Sequence, residues 1–361
     1  MAKQNSLRER QTAHFPAFEP ELAREVNPSL APFKLLTKRL SEAFGPSGSE
    51  ERVRELVRDE IKEFVDQVRV DAFGNLIAQR RGSGGHRKKI MLSAHLDEIG
   101  LMVSFIDARG FARFGMLGAV KPLTLLGARV QFENGAQGVI GRQEKNASRT
   151  EIEPEHLFMD VGAASAENLQ VRVGDSACFA REFLDAGKFL VGKALNNRAG
   201  CAVLIETLRQ LKKSPHDISF VFTVQQQVGA RGAGPAAYTL QPDFAFVVDA
   251  AAAGDTPGAA ANGIALGKGP AVKFQDEGSL TSANARQILI NAAREAHVAY
   301  QLDVTPRAGG DTLPIQAARE GVPTAALALP MRYLNTPSEM IHYEDAQASV
   351  RVLLTLLSKA V

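Results

Sequence analysis

The sequence predicts an α/β fold interrupted by a small β domain. Helix-spaced and strand-like apolar runs alternate up to about residue 100 and again from Gly192 onward. Between them, residues 101–190 read as short β-rich runs punctuated by glycines such as Gly110, Gly118, Gly127, Gly135 and Gly174, with few helical periods. A mostly apolar run, Lys89-Ile90-Met91-Leu92-Ser93-Ala94, ends in His95, as a buried strand does when it delivers polar groups to an α/β site. The expected organisation is an N-terminal extension (1–30), an α/β domain made of 31–100 and 191–361, and an inserted β domain (101–190).

Residues 1–30 are polar, with prolines at 16, 20 and 28, and read as an arm outside the main fold. A first helix is expected from Pro32 through Leu35, Leu36, Leu40 and Phe44, broken by Gly45-Pro46-Ser47-Gly48. Ser49 is placed to cap a second helix carrying Val53, Leu56, Val57 and Ile61. Strands are expected at Val68–Asp71 and Leu76–Ala78, either side of a turn at 72–75. Beyond 192, Val203, Leu204, Leu208 and Leu211 suit a helix, Ile218–Val224 and Phe244–Val248 suit strands, and Val350–Leu357 suits a closing helix.

Bulk composition excludes several classes of function. The 361 residues are 45% hydrophobic, ample for a core without stapling. A net charge of +2 argues against a dedicated nucleic-acid binder. Arg80-Arg81 and Arg87-Lys88-Lys89 flank a Gly-Ser-Gly-Gly stretch and read as a solvated hairpin tip. The cysteines, Cys178 and Cys201, form no CxxC pattern, which suits a reducing compartment. No secretory h-region or membrane-length apolar run is present, so the expectation is a cytoplasmic protein with no membrane partner.

His95-Leu96-Asp97 at a strand end suits a metal ligand oriented by a carboxylate. It equally suits a satisfied structural His–Asp pair. There is no HExxH, GxSxG, Walker or Rossmann motif to point to another chemistry.

Several motifs in one order carry a resemblance that runs from about Phe33 to Leu357. They are Gly45-Pro46-Ser47-Gly48, Asp71-Ala72-Phe73-Gly74-Asn75, His95-Leu96-Asp97-Glu98-Ile99-Gly100, Gly254-Asp255-Thr256-Pro257-Gly258, Gly321-Val322-Pro323-Thr324 and Pro330-Met331-Arg332-Tyr333. Together they resemble the M42 metallo-aminopeptidases, the tetrahedral aminopeptidase group that includes glutamyl aminopeptidases and proteins once called endoglucanases. The resemblance implies a mixed-sheet zinc-peptidase-like domain with helices on both faces and a small β domain inserted after the first metal ligand. It also implies a homo-oligomer, at least a dimer and up to a dodecamer.

In that family two divalent metals share a bridging Asp. The matching ligand positions here are His95, Asn196, Gln227, Asp249 and Asn335, and the general-base position is Gln226. Asp97 matches the carboxylate behind His95. His95 and Asp249 keep the family residue; Asn196, Gln226, Gln227 and Asn335 stand where the family has Asp, Glu, Glu and His.

The chemistry of those replacements follows from general principles. A two-metal hydrolytic site holds its ions about 3.5–4 Å apart and needs anionic ligands to offset their charge. An amide oxygen is neutral, bridges two cations poorly, and an amide cannot serve as a general base. Substitute acids or ligands in the sequence are Asp97, Glu98, Asp311 and His342. The expected cofactor state is no metal, or one divalent ion (Zn, Co or Mn) held weakly at His95 and Asp249. The sequence therefore predicts an aminopeptidase fold without dinuclear hydrolysis, acting in binding, scaffolding or regulation, with a peptide or an active paralogue as candidate partner. The alternative is a metal-dependent aminopeptidase of full or reduced activity.

Overall fold

The computed structural model describes residues 31–143, 152–163, 165, 167, 169–259, 262–305 and 309–359. The expected extension, 1–30, lies outside them.

Helix α1 (Pro32–Glu42) starts on a proline, which tolerates the first helical position because its missing N–H needs no partner there. It buries Phe33, Leu36 and Leu40 on one stripe. Helix α2 (Glu51–Ile61) buries Val53, Val57 and Ile61. The expected Ser49 cap is not made. Glu50 precedes the helix without a side-chain capping bond, and the Ser49 hydroxyl meets that of Ser176 at 3.0 Å.

Strands β1 (Gln67–Val70) and β2 (Leu76–Arg80) form a hairpin. Its turn is held by Asp71, whose Oδ1 accepts the N–H groups of Phe73, Gly74 and Asn75. Asn75 then donates to Gly232 O and accepts from Val224 N, which ties this turn to the approach of the site. Strand β3 (Lys89–His95) is buried from Ile90 onward.

Strands β4 (Gly100–Ile106), β5 (Ala112–Leu117), β6 (Arg129–Phe132), β7 (Gln137–Arg142), β8 (Leu157–Asp160) and β9 (Ser176–Phe179) close into a barrel in the order β4-β5-β8-β7-β6-β9. Leu101, Val130, Phe132, Ile140, Met159 and Phe179 fill it. The next strands, β10 (Leu184–Ala186) and β11 (Phe189–Gly192), pair through β11 with a late strand of the large sheet. The barrel therefore ends at Phe179, short of the expected boundary at 190, because the chain has already returned to the main sheet by Leu184.

The remainder alternates: α3 (Leu195–Gln210), β12 (Asp217–Thr223), α4 (Ala233–Leu240), β13 (Phe244–Ala252), β14 (Ala271–Gln275), α5 (Ala283–Glu295), β15 (Gln301–Val304), α6 (Thr312–Gln316), β16 (Thr324–Arg332), β17 (Glu339–His342) and α7 (Tyr343–Leu357). Among the described residues these build an eleven-stranded mixed sheet ordered β1-β2-β12-β3-β13-β16-β17-β11-β10, with β14 and β15 branching from β16.

Helices cover both faces. Successive strand residues point to opposite faces, so Phe220 and Phe246 pack with Leu36, Leu204, Leu289 and Leu353 of α1, α3, α5 and α7. Their neighbours Val221 and Val247 pack with Ala236, Ala237 and Ile315 of α4 and α6. No helix among the described residues is long and apolar enough to cross a membrane.

Candidate functional site

Strands β12, β3, β13 and β16 are mutually parallel neighbours, so their C-terminal ends open at one edge of the sheet. Thr223 of β12 is in register with His95 of β3. Val247 of β13 is in register with Ser93, so two residues on, Asp249 reaches the level of His95. The turn after β12 carries Gln226 and Gln227, the start of α3 carries Asn196, and the segment between β16 and β17 carries Asn335. Gln226, Gln227, Asn196, Asp249 and Asn335 line one cleft of about 620 Å³, and His95 lies buried against Asn196.

The turn that presents the two glutamines hangs on Asp97, which is fully buried. Its Oδ1 accepts Gln226 N and its Oδ2 accepts Gln227 N, both at 2.9 Å, while Ser47 Oγ donates to Oδ2 at 2.5 Å. Glu50 adds a further hold, accepting Gln225 N at 3.0 Å. Gln225 and Asn335 take left-handed φ values of 56° and 60°. Such backbone costs on the order of 1–3 kcal/mol and persists where surrounding bonds over-determine it.

His95 places Nδ1 3.0 Å from the carbonyl of Asp97 and 3.4 Å from its Oδ1. Its Nε2 lies 3.3 Å from Asn196 Oδ1. Burial alone would lower the imidazole pKa, but the carboxylates of Asp97, Asp249 and Asp311 outweigh it and raise it to about 9. Nδ1 thus faces Asp97 and Nε2 faces the Asn196 amide oxygen. Burial would raise the Asp97 carboxyl, yet His95 and the donors around it hold it below the ordinary range.

Asn196 and Asn335 are joined by an acid that the sequence reading missed. Glu339 accepts Asn196 N on Oε2 at 2.8 Å and Asn335 N on Oε1 at 2.9 Å. Burial pushes its carboxyl up to about 7. The side chains then meet directly, with Asn196 Nδ2 donating to Asn335 Oδ1 at 3.3 Å. The only local hint of Glu339 is an acid just after Asn335-Thr336-Pro337-Ser338. Gln226 donates through Nε2 to Gly309 O at 3.2 Å.

The substitute acids separate. Glu98 is unavailable to the cleft, because Lys193 Nζ holds both its oxygens at 2.7 and 2.8 Å and Arg198 lies 3.5 Å away. Arg198, fully buried, donates to the carbonyls of Leu96, Leu40, Ala43 and Gly45. It supports the backbone on which His95 and Asp97 stand, a role not read from the sequence. His342 caps α7, accepting Glu344 N at 3.3 Å. Asp311 does join the site. Thr223 Oγ1 donates to its Oδ2 at 2.6 Å, and its Oδ1 has no partner among the described residues. Burial, with the charges of Asp249 and Asp97 against that of His95, pushes its carboxyl up to about 7.

The donor set does not fit a divalent metal pair. Among the described residues no three His, Cys, Asp or Glu side chains are grouped to hold an ion. The three amide positions offer neutral oxygens, which leaves His95 and Asp249 as the strong ligands of the expected set.

A model of the M42 glutamyl aminopeptidase family matches residues 74–352. A lysyl aminopeptidase of Pyrococcus furiosus is 33% identical over 340 residues, covering 90% of this chain and 96% of the relative. An aminopeptidase structure from the archaeon Desulfurococcus kamchatkensis superposes with a TM-score of 0.87 at 35% identity, covering 91% of this chain and 95% of that one. The TET1 peptidase of Pyrococcus horikoshii superposes with a TM-score of 0.79 at 31% identity, covering 91% and 100%. On the family match and these identities over nine-tenths of its length, the chain belongs to the M42 glutamyl aminopeptidase family.

Proposed function

We propose that this protein is a catalytically silent member of its family and works through binding or assembly. The observation that carries the reading is the Asn196 side chain, which faces His95 Nε2 with its oxygen and Asn335 with its nitrogen, both at 3.3 Å. The position from which an Asp would bridge two cations is filled by a self-satisfied amide network. Beside it, Gln226 has no proton-accepting base to offer an attacking water. Near-isosteric amides also remove the repulsion that dense carboxylates suffer without metal, so the replacements suit a site kept folded in a metal-free state.

The test combines elemental analysis of purified protein with an aminopeptidase screen in added Zn²⁺, Co²⁺ or Mn²⁺. Far less than two metals per chain and no turnover are expected. Near two metals per chain, or turnover well above a control with the cleft mutated, sinks the reading. A single weak ion with slow turnover would favour a one-metal aminopeptidase at His95 and Asp249.

Assembly is the second half of the proposal. The related TET1 peptidase can form a tetrahedron or a large octahedral shell. By that kinship we expect a homo-oligomer of at least two chains, with the inserted barrel in the contact. Light scattering that finds a monomer at micromolar concentration contradicts this.

A further inference from the structure

A second cavity lies where β3 and β12 begin, at the opposite end of these strands from the cleft, and shares no residue with it. It sits on the sheet face that α4 covers. Ile77, Met91 and Val221 of that face pack with α4, which stops at Leu240. Past the end of the helix the same face turns polar. Gln67 of β1 is in register with Gln79 of β2, Gln79 with Ser219 of β12, and Asp217 of β12 with Lys89 of β3. Residues two apart in a strand share a face, so Arg69 and Arg81 project beside Gln67 and Gln79. Together they line a hollow of about 370 Å³, walled by Thr239, Leu240 and Pro242.

The charges in this hollow are unbalanced. The side chains of Arg69, Arg81 and Lys89 make no ion pair or hydrogen bond among the described residues. The acids beside them are engaged elsewhere. Asp66 accepts Arg81 N at 2.7 Å, and Asp217 accepts Gly82 N at 2.9 Å and faces Arg87 at 3.7 Å. The strand path also splits the basic pairs of the sequence. Arg80 donates to the carbonyls of Leu208 and Lys212, and Lys88 lies 3.9 Å from Asp243, while Arg81 and Lys89 are left to the hollow. Two guanidinium forks and an ammonium around one concave floor match an anion with several acceptor oxygens. A phosphate monoester has three such oxygens and about 1.5 to 2 negative charges near neutral pH. The neutral part of the floor is polar as well: Gln79 Nε2 donates to Ser219 Oγ at 3.3 Å, and both residues are half-buried. Amides and a hydroxyl suit a hydroxylated ligand body, and the volume suits a small one.

We propose that this second cavity binds a phosphate group, with Arg69, Arg81 and Lys89 as its counter-charges. The phosphate is either free or carried on a small hydroxylated molecule such as a sugar phosphate, and the probes below separate the two sources. The site uses no residue of the cleft and stands whether or not the cleft is silent.

The experiment is calorimetric titration of the full chain at low ionic strength near neutral pH. The probes are glucose 6-phosphate, glucose and inorganic phosphate. Saturable binding of at least one phosphate probe is expected, with glucose at least about tenfold weaker, the scale of a hydrogen bond to a charged group. Tighter binding of glucose 6-phosphate than of inorganic phosphate points to a carried phosphate, and equal or weaker binding to the free ion. Arg69→Gln with Arg81→Gln should weaken the phosphate probe by at least about tenfold. If that pair fails to fold by circular dichroism, Lys89→Gln alone carries the same expectation. Lys121→Gln, which removes an exposed charge next to the barrel, should leave the affinity unchanged. No saturable binding of either phosphate probe at millimolar concentration, or glucose bound as tightly as its phosphate, overturns the proposal. So does full affinity in the folded Arg69 and Arg81 variant, or an equal loss in Lys121→Gln, which would mark a general charge effect.

Discussion

Glu50 offers a quantitative test of how the site turn is held. It is 4% exposed, and burial, followed by the charge of Asp97, raises its carboxyl from 4.5 to about 7. At about 1.4 kcal/mol per pH unit, ionising it in the folded state costs about 3 kcal/mol. The folded state binds this proton more tightly than the unfolded state. Its contribution is therefore fully present below about pH 4.5 and is lost as pH rises through about 7. Glu50→Gln removes the titration and keeps the geometry, because Gly48 N and Gln225 N both donate to the same oxygen, at 2.9 and 3.0 Å. Urea unfolding should find wild type and variant alike near pH 4.5, and the variant more stable by about 3 kcal/mol near pH 8. The wild type keeps a further decline from Asp311 and Glu339, which are raised to about 7 as well, and so does the variant. Parallel pH curves for the two proteins would refute the argument that burial keeps Glu50 protonated.

Other outcomes follow from the same geometry. The quadruple change Asn196→Asp, Gln226→Glu, Gln227→Glu and Asn335→His should bind about two metals by elemental analysis, even if turnover stays poor. Asn196→Asp alone should fail, since it sets a carboxylate against Asn335 Oδ1, which now accepts from Asn196 Nδ2. A folded quadruple variant that binds none would show that these positions are wrongly assigned. Chelator should leave the melting temperature of wild type within about two degrees, whereas loss of a bound ion would lower it by mass action. Arg198→Met should cost about 3 kcal/mol or more in urea unfolding, because it strips donors from buried carbonyls and leaves Glu98 to Lys193 alone. A cost below about 1 kcal/mol would show that those carbonyls find other partners.

Much of the fold was legible because it is written in short-range periodicity. The stripe Phe33, Leu36, Leu40 and the run Ile90–Ala94 each declare their element within a few residues. The glycine-punctuated stretch marked the barrel, but not where the barrel ends. Leu184–Ala186 and Phe189–Gly192 are strands in either arrangement, and only pairing with β17 assigns them to the large sheet. The Ser49 cap failed for a related reason: a serine before a helix is a local signal, and the distant Ser176 is where its hydroxyl goes.

By itself, the sequence determined the alternation of elements, the order of motifs and the residue types at each site position. From these came the expectation that amides stand where the family has acids and a histidine. The tertiary structure alone decided what those amides do. Asn196 lies 101 residues from His95 and 139 from Asn335, and the three side chains meet only because parallel strands end at one edge and Glu339 binds two of the loops. Likewise it separated acids that look equivalent in sequence: Glu98 is locked to Lys193, while Asp311 packs into the site with an unpartnered Oδ1 and Asp249 lines the cleft. Partners so far apart in the chain leave no local pattern, because hydrogen bonding depends on distances set by strand register and loop path rather than by sequence spacing.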